Sequence, residues 1–408
     1  ARRAINAGLR LGTPEAATRL LQAGLDANAR AELRTASLSA LKLWNTPPPL
    51  DLVDGYARKF QPTAIASVLT PRLADLLALT DPTLKTLAIE IMIAHQLPAS
   101  PDQVAAIVTN AAASDGLRAQ SLRLMAGADA KLPAMVRALE AALAEDAPAA
   151  LHRAGLELLL QRDPARLVTV ASADLTRRST AEKQQALALL AKVGRADADA
   201  ILVTQGEALA NGRAAKELQL DILEALRARG TSTAQLLTLA DRYAASNAGA
   251  ARSELLEGGD VARGRDIVAN HLNANCTACH TVEAAGGSEV GPNLRTIGAT
   301  RDAAYLLESL LEPSAKIATG YGIVNVTLND KTEITGTLAK EAKDTVTVRL
   351  FDGTNKTIPR TNILAQTNPV SVMPAMGAIL QPTEIRDVVT YLSSLKGGRR
   401  GGRSDGEL

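Results

Sequence analysis

The chain has 408 residues, and its 45 Lys plus Arg nearly balance 43 Asp plus Glu, so the formal charge of +2 supplies no electrostatic footprint for nucleic acid. No aromatic-plus-basic stripe supplies one either, and no partner of that kind is expected. The length suits two or three domains with ample core, and no run of about eighteen apolar residues occurs, so no membrane span is expected.

The chain opens on "ARRAINAGLRLGTPEAATRLL", already in helical periodicity and without an initiator Met or the apolar run of a signal peptide. That opening reads as a fragment or a processed product of a longer chain. Residues 1–255 are dominated by Ala and Leu, with few aromatic residues beyond Trp44, Tyr56, Phe60 and Tyr243, which suits stacked helices. A nine-residue pattern recurs there: "LRTASLSAL" from Leu33, "LKTLAIEIM" from Leu84, "LRAQSLRLM" from Leu117, "LHRAGLELL" from Leu151, "EKQQALALL" from Glu182 and "LQLDILEAL" from Leu218. After a longer first interval the spacing is roughly 31–36 residues, the size of a helical hairpin. Apolar residues at the first, sixth and ninth places give each copy one buried stripe. The turns "ALTDPTL" and "LQRDPARL" put Asp before Pro, where Pro fits the first turn of the next helix. These paired helices resemble a HEAT-type α-solenoid, an architecture used both as a concave binding surface and as a plain spacer. The segment "WNTPPPLDLVDGYARKF" lengthens the first interval as an insertion or irregular repeat. His95 and His152, within the helices, read as packing or surface residues, and Met92, Met125 and Met135 as core.

From about Glu257 the character changes, and "GGDVARGRDIVANHLNANCTACHTV" runs a helix into a stretch that holds both cysteines of the chain. Cys276, Cys279 and His280 form the attachment signature of c-type haem. On one helical turn both thiols reach a single porphyrin edge to add to its vinyl groups, while the histidine faces the iron. The competing readings are a thioredoxin-like redox pair, a zinc half-site and a disulfide. The first lacks a βαβ context, and the second lacks further Cys ligands. In this helix Gly264 allows close packing on the C-terminal helix "PTEIRDVVTYLSSL".

Beyond the motif, Arg295 in "GGSEVGPNLRTIG" is a candidate partner of a haem propionate, with solvation as its bland alternative. The sixth iron ligand is sought in "SVMPAMGAILQPTEIRDVVTYL", where Met373 is favoured and Met376 is the alternative. His271 lies too few residues before Cys276 to reach the opposite haem face easily and is expected to be structural or exposed. Between them, residues 321–367 alternate Val, Thr and Ile with turns at "LNDKT", "KEAKD" and "FDGTN", so a small inserted antiparallel sheet or barrel is expected. It would cover a haem edge, contact a donor, or be passive. The final "KGGRRGGRSDGEL", residues 397–408 in particular, is expected to be a disordered Gly/Arg tail.

Taken in order, "CTACH", "VGPNL", "LLEPSAKIATGY", the strand-rich insert, "SVMP" and "EIRDVVTYL" resemble the haem-binding domain common in planctomycetes and verrucomicrobia, over residues 258–396. The resemblance implies a mainly α protein: a HEAT-like solenoid over 1–255, then an α-helical class I-like cytochrome c domain over 256–396 with the inserted β subdomain. It implies one covalently bound haem c, with Pro292 offering its carbonyl to His280 and a Met-Pro ligand at Met373. Members often carry helical repeats and, further upstream, a β-propeller resembling quinoprotein sugar dehydrogenases; no propeller lies in this chain. The expected function is electron transfer, from a dehydrogenase donor to a cytochrome or oxidase acceptor, in the periplasm or another exported compartment. A haem enzyme or gas sensor with an open sixth position, and a solenoid scaffold for protein partners, are the alternatives. The second methionine of "VMPAMG" and Val268, where an aromatic residue is usual, depart from the family pattern.

Overall fold

The computed structural model describes residues 2–397 apart from 52, 58, 59, 99, 231, 232, 248–251, 283–287 and 289. Most of the Gly/Arg tail expected after the last helix therefore lies outside the described residues. The chain is mainly helical, with one small antiparallel sheet toward its C-terminal end. It divides into two compact units: residues 1–178 with 193–195, and residues 179–192 with 196–408.

In the first unit successive helices pack on one another around two apolar clusters. Local chemistry sets where they begin. Asp81 accepts hydrogen bonds from the backbone N–H of Thr83 and Leu84 ahead of helix Pro82–Ala94, and Asp163 does the same for Arg166 ahead of Pro164–Arg177. In both, proline occupies the first turn, where its missing N–H costs nothing. The irregular stretch after Lys42 is tied down by its polar groups: Trp44 is fully buried and donates to the Thr63 carbonyl at 2.9 Å, while Asn6 donates to Asp51 at 2.9 Å. His152 is buried between acceptors, the Ala142 carbonyl at 3.1 Å from Nδ1 and the Asp174 carboxylate at 2.8 Å from Nε2. Its two ring nitrogens thus join the ends of three helices, which is a packing role.

The second unit contains four further helices from Thr180–Leu190 to Ala234–Ser246, and then the helices Val261–Asn270, Ala303–Leu311 and Pro382–Ser394. Val261–Asn270 lies against Pro382–Ser394, and a Cβ at Gly264 would stand 2.1 Å from the Asp387 carbonyl, so no larger residue fits there. Val268 is buried at this contact with Val388, Val389 and Leu392. Leu220 of helix Gln219–Gly230 belongs to the same apolar cluster. Beside it the buried Arg386 guanidinium grips Asp221 through two bonds, of 2.6 and 3.2 Å. This core therefore draws on residues well before the change in composition near 255.

The sheet comprises β1 (Gly322–Leu328), β2 (Glu333–Glu341), β3 (Thr345–Arg349), β4 (Asn355–Pro359), β5 (Ile363–Gln366) and β6 (Val370–Ser371). Its order is β4-β3-β2-β1-β5, every pair is antiparallel, and β6 pairs the start of β1. Alternation puts Val324, Val326, Ile334, Val346, Val348 and Ile358 on one face as a core distinct from that of the helices.

Candidate functional site

The two thiols and the histidine sit on a single turn. Asn275 takes the left-handed conformation that Asn tolerates (φ 38°), and its carbonyl accepts from Ala278. The Cys276 carbonyl then accepts from Cys279 at 3.2 Å and His280 at 3.0 Å, which holds all three residues on one tight bend. Both cysteines are free, Cys279 exposed and Cys276 partly buried. Burial pushes the Cys276 thiol above the usual range, with the neighbouring Cys279 adding to the rise and a backbone hydrogen bond opposing it.

His280 is fixed by its ring. Nδ1 lies 2.8 Å from the Pro292 carbonyl. A carbonyl can only accept, so Nδ1 carries the hydrogen, and of the two neutral tautomers this is the one that leaves the lone pair on Nε2. Gly291 allows this closeness: a Cβ there would fall 2.6 Å from His280 Cε1, while the Gly291 N–H donates to the Cys279 carbonyl at 2.6 Å. The loop thus packs its bare backbone on the imidazole.

Cys276, Cys279, His280 and Pro292 line a cavity of about 270 Å³, which Met373 and Met376 also line. That is room for an organic cofactor rather than a lone ion. The remaining wall is mainly apolar, with Leu306 and Leu310 from helix Ala303–Leu311 and Val388 and Leu392 from the C-terminal helix. The two methionines differ in setting. Met376 is buried in the helical core at 4% exposure, whereas Met373 is only partly buried and its N–H donates to Ser371 Oγ at 3.1 Å.

Two residues singled out from sequence lie elsewhere. Arg295 is not on the cavity wall, and its N–H donates to Asn293. His271 accepts from the Ala274 N–H through Nδ1 and stands 4.0 Å from Glu384, so it closes the loop ahead of the cysteines. The cations on the wall are instead Arg301, stacked on Tyr305 at 4.7 Å, and Lys316, whose ammonium Glu308 holds above its usual range through a 2.7 Å hydrogen bond. Sequence reasoning missed these, and Gly291 too. The "LLEPSAKIATGY" segment carried a signal in its lone lysine amid apolar residues, but nothing in its spacing pointed to the cavity.

Among the described residues no group of three or more His, Cys, Asp or Glu is placed to hold a metal ion. No helix among them is long and apolar enough to cross a membrane. No protein-family model matches the chain, and no curated protein matches it.

Proposed function

We propose that residues 256–396 are a mono-haem c-type cytochrome domain that transfers single electrons, preceded by a HEAT-like solenoid over 1–255. The observation that carries this reading is the convergence on one apolar cavity of two free thiols, two thioethers and an imidazole whose Nδ1–H is spent on Pro292. The donor set fits haem c, since soft sulfur and an imidazole whose Nε2 is left for a metal suit an iron porphyrin and the apolar walls suit its faces.

In this reading Cys276 and Cys279 would hold the porphyrin through thioethers and His280 would supply Nε2 to the iron. The Pro292 carbonyl orients the ring and raises its basicity. Met373 is the favoured second ligand, because it is only partly buried at the edge of the helical core, whereas Met376 is enclosed within it. When bound, haem supplies a one-electron iron couple whose potential a thioether ligand raises. The apolar wall residues Leu306, Leu310, Val388 and Leu392 would shield such a group from water. Arg301 is the wall cation that a propionate would meet, while Lys316 would have to share its ammonium with Glu308.

Covalent haem attachment points to an exported compartment such as the periplasm. The natural partners would be a dehydrogenase as donor and a cytochrome or oxidase as acceptor. The direct test is haem staining of the denatured chain after electrophoresis. Porphyrin should stay with the wild-type polypeptide and leave the Cys276→Ala/Cys279→Ala double variant; a wild-type chain without bound porphyrin contradicts the reading.

A further inference from the structure

The inserted sheet occupies the chain between the cavity wall and the Met-Pro segment, and no role for it follows from haem binding alone. Its two ends meet at the cavity. Tyr321, on the wall, immediately precedes β1, and Ser371, also on the wall, ends β6 two residues before Met373. The register pairs Gly322 with Ser371 and Ile323 with Val370. Strand β1 is therefore shared: β2 bonds along one edge, while β5 and then β6 bond along the other. The junction between those two partners is closed as well, because Thr367 donates its N–H to the Asn325 carbonyl at 3.0 Å and accepts from the Asn325 N–H through Oγ1 at 2.9 Å.

Two serines continue this frame to the methionine. The Ser371 N–H donates to Ser314 Oγ at 3.1 Å, on the turn that follows helix Ala303–Leu311, and Ser371 Oγ accepts the Met373 N–H at 3.1 Å. Close approach completes it. A Cβ at Gly322 would stand 2.6 Å from the Pro369 side chain, so only glycine lets the chain entering β6 lie this near β1.

We propose that the sheet is a positioning device for the iron ligand. Strand β1 fixes β6, and Ser371 passes that position to Met373, so the insert sets how firmly the thioether is presented to the cavity. The inference rests on the haem reading above and deepens it, with Ser371 and Gly322 as positioning residues. The sheet has its own apolar core, with no residue shared with the cluster behind the cavity.

The test uses the full holoprotein with Ser371→Ala, Ser371→Thr and Gly322→Ala, each read three ways: covalent porphyrin content, the weak far-red charge-transfer band of methionine-ligated ferric haem, and carbon monoxide binding by the ferrous form. Loss of one hydrogen bond should shift the bound-to-released ratio of the thioether by roughly fivefold. Ser371→Ala should therefore keep its porphyrin, lose far-red intensity and bind carbon monoxide more readily, and Ser371→Thr should restore both signals. Gly322→Ala should weaken the band in the same way. Porphyrin content, band and carbon monoxide binding all at wild-type levels in Ser371→Ala and Gly322→Ala, with the band lost in Met373→Ala, would overturn the positioning role alone. A wild-type chain that carries no covalent porphyrin overturns the haem reading, and the inference with it.

Discussion

Gly291→Ala tests the site at a single methyl group. The new Cβ would lie 2.6 Å from His280 Cε1 and 2.8 Å from Nδ1. Carbon atoms in contact sit about 3.5–4.0 Å apart, so the ring must retreat by roughly 1 Å. The loop cannot easily yield instead, because the Gly291 N–H is bonded to the Cys279 carbonyl. Gly291 is not in the left-handed region, so alanine brings no backbone strain of its own and the whole effect comes from the contact. Overpacking costs about 1–3 kcal/mol and the stretched Nδ1 hydrogen bond about 1 kcal/mol more, which gives an expected loss of about 2–4 kcal/mol. Urea unfolding followed by circular dichroism measures it, with the visible spectrum reporting the ring. Gly116→Ala is the control: nothing lies within 4 Å of its Cβ position in helix Asp115–Leu124, and alanine there should stabilise by about 0.4–1 kcal/mol. A Gly291→Ala protein with wild-type stability and spectrum would refute the account of how His280 is held.

Asp221→Ala strands the buried Arg386, whose Nε already has no hydrogen-bond partner among the described residues, and should cost about 3–5 kcal/mol. The double variant Asp221→Leu/Arg386→Met should recover most of that in the same unfolding assay; equal losses in both would show that charge pairing is not the cause. Asp260 caps helix Val261–Asn270, and its carboxyl is held below the usual range first by the Arg263 N–H, which outweighs the rise from burial, with the Arg263 charge and the Ala262 N–H lowering it further. A depressed carboxyl contributes stability above its unfolded pKa and loses it as pH falls through the folded one. Asp260→Ala should therefore cost about 1 kcal/mol at neutral pH and progressively less below about pH 4, as thermal melts across that range would show.

Much of the local structure could be read from residue patterns. Asp81-Pro82 and Asp163-Pro164 start helices because the signal is short-range: one carboxylate, two or three N–H groups away, and a ring that suits the first turn. The strands were legible because alternation of Val, Ile and Thr records which face is buried. What the sequence left hidden depends on contacts between distant residues. Arg386 meets Asp221 across 165 positions, so the second compact unit reaches back to 179 while the composition changes near 255. Ser314 meets Ser371 across 57 positions, and neither belongs to a motif. Arg295 does not line the cavity, whereas Arg301 and Lys316, which no motif marks, do.

Ligation of one covalent haem by His280 and Met373 in an electron carrier is tested most directly by a redox-resolved visible spectrum of the purified holoprotein beside Met373→Ala and Met376→Ala. The wild type and Met376→Ala should show a low-spin ferrous spectrum and a ferric far-red band, both lost in Met373→Ala. A wild type already high-spin and quick to bind carbon monoxide would contradict it, and would turn attention to catalysis or gas sensing at an open iron.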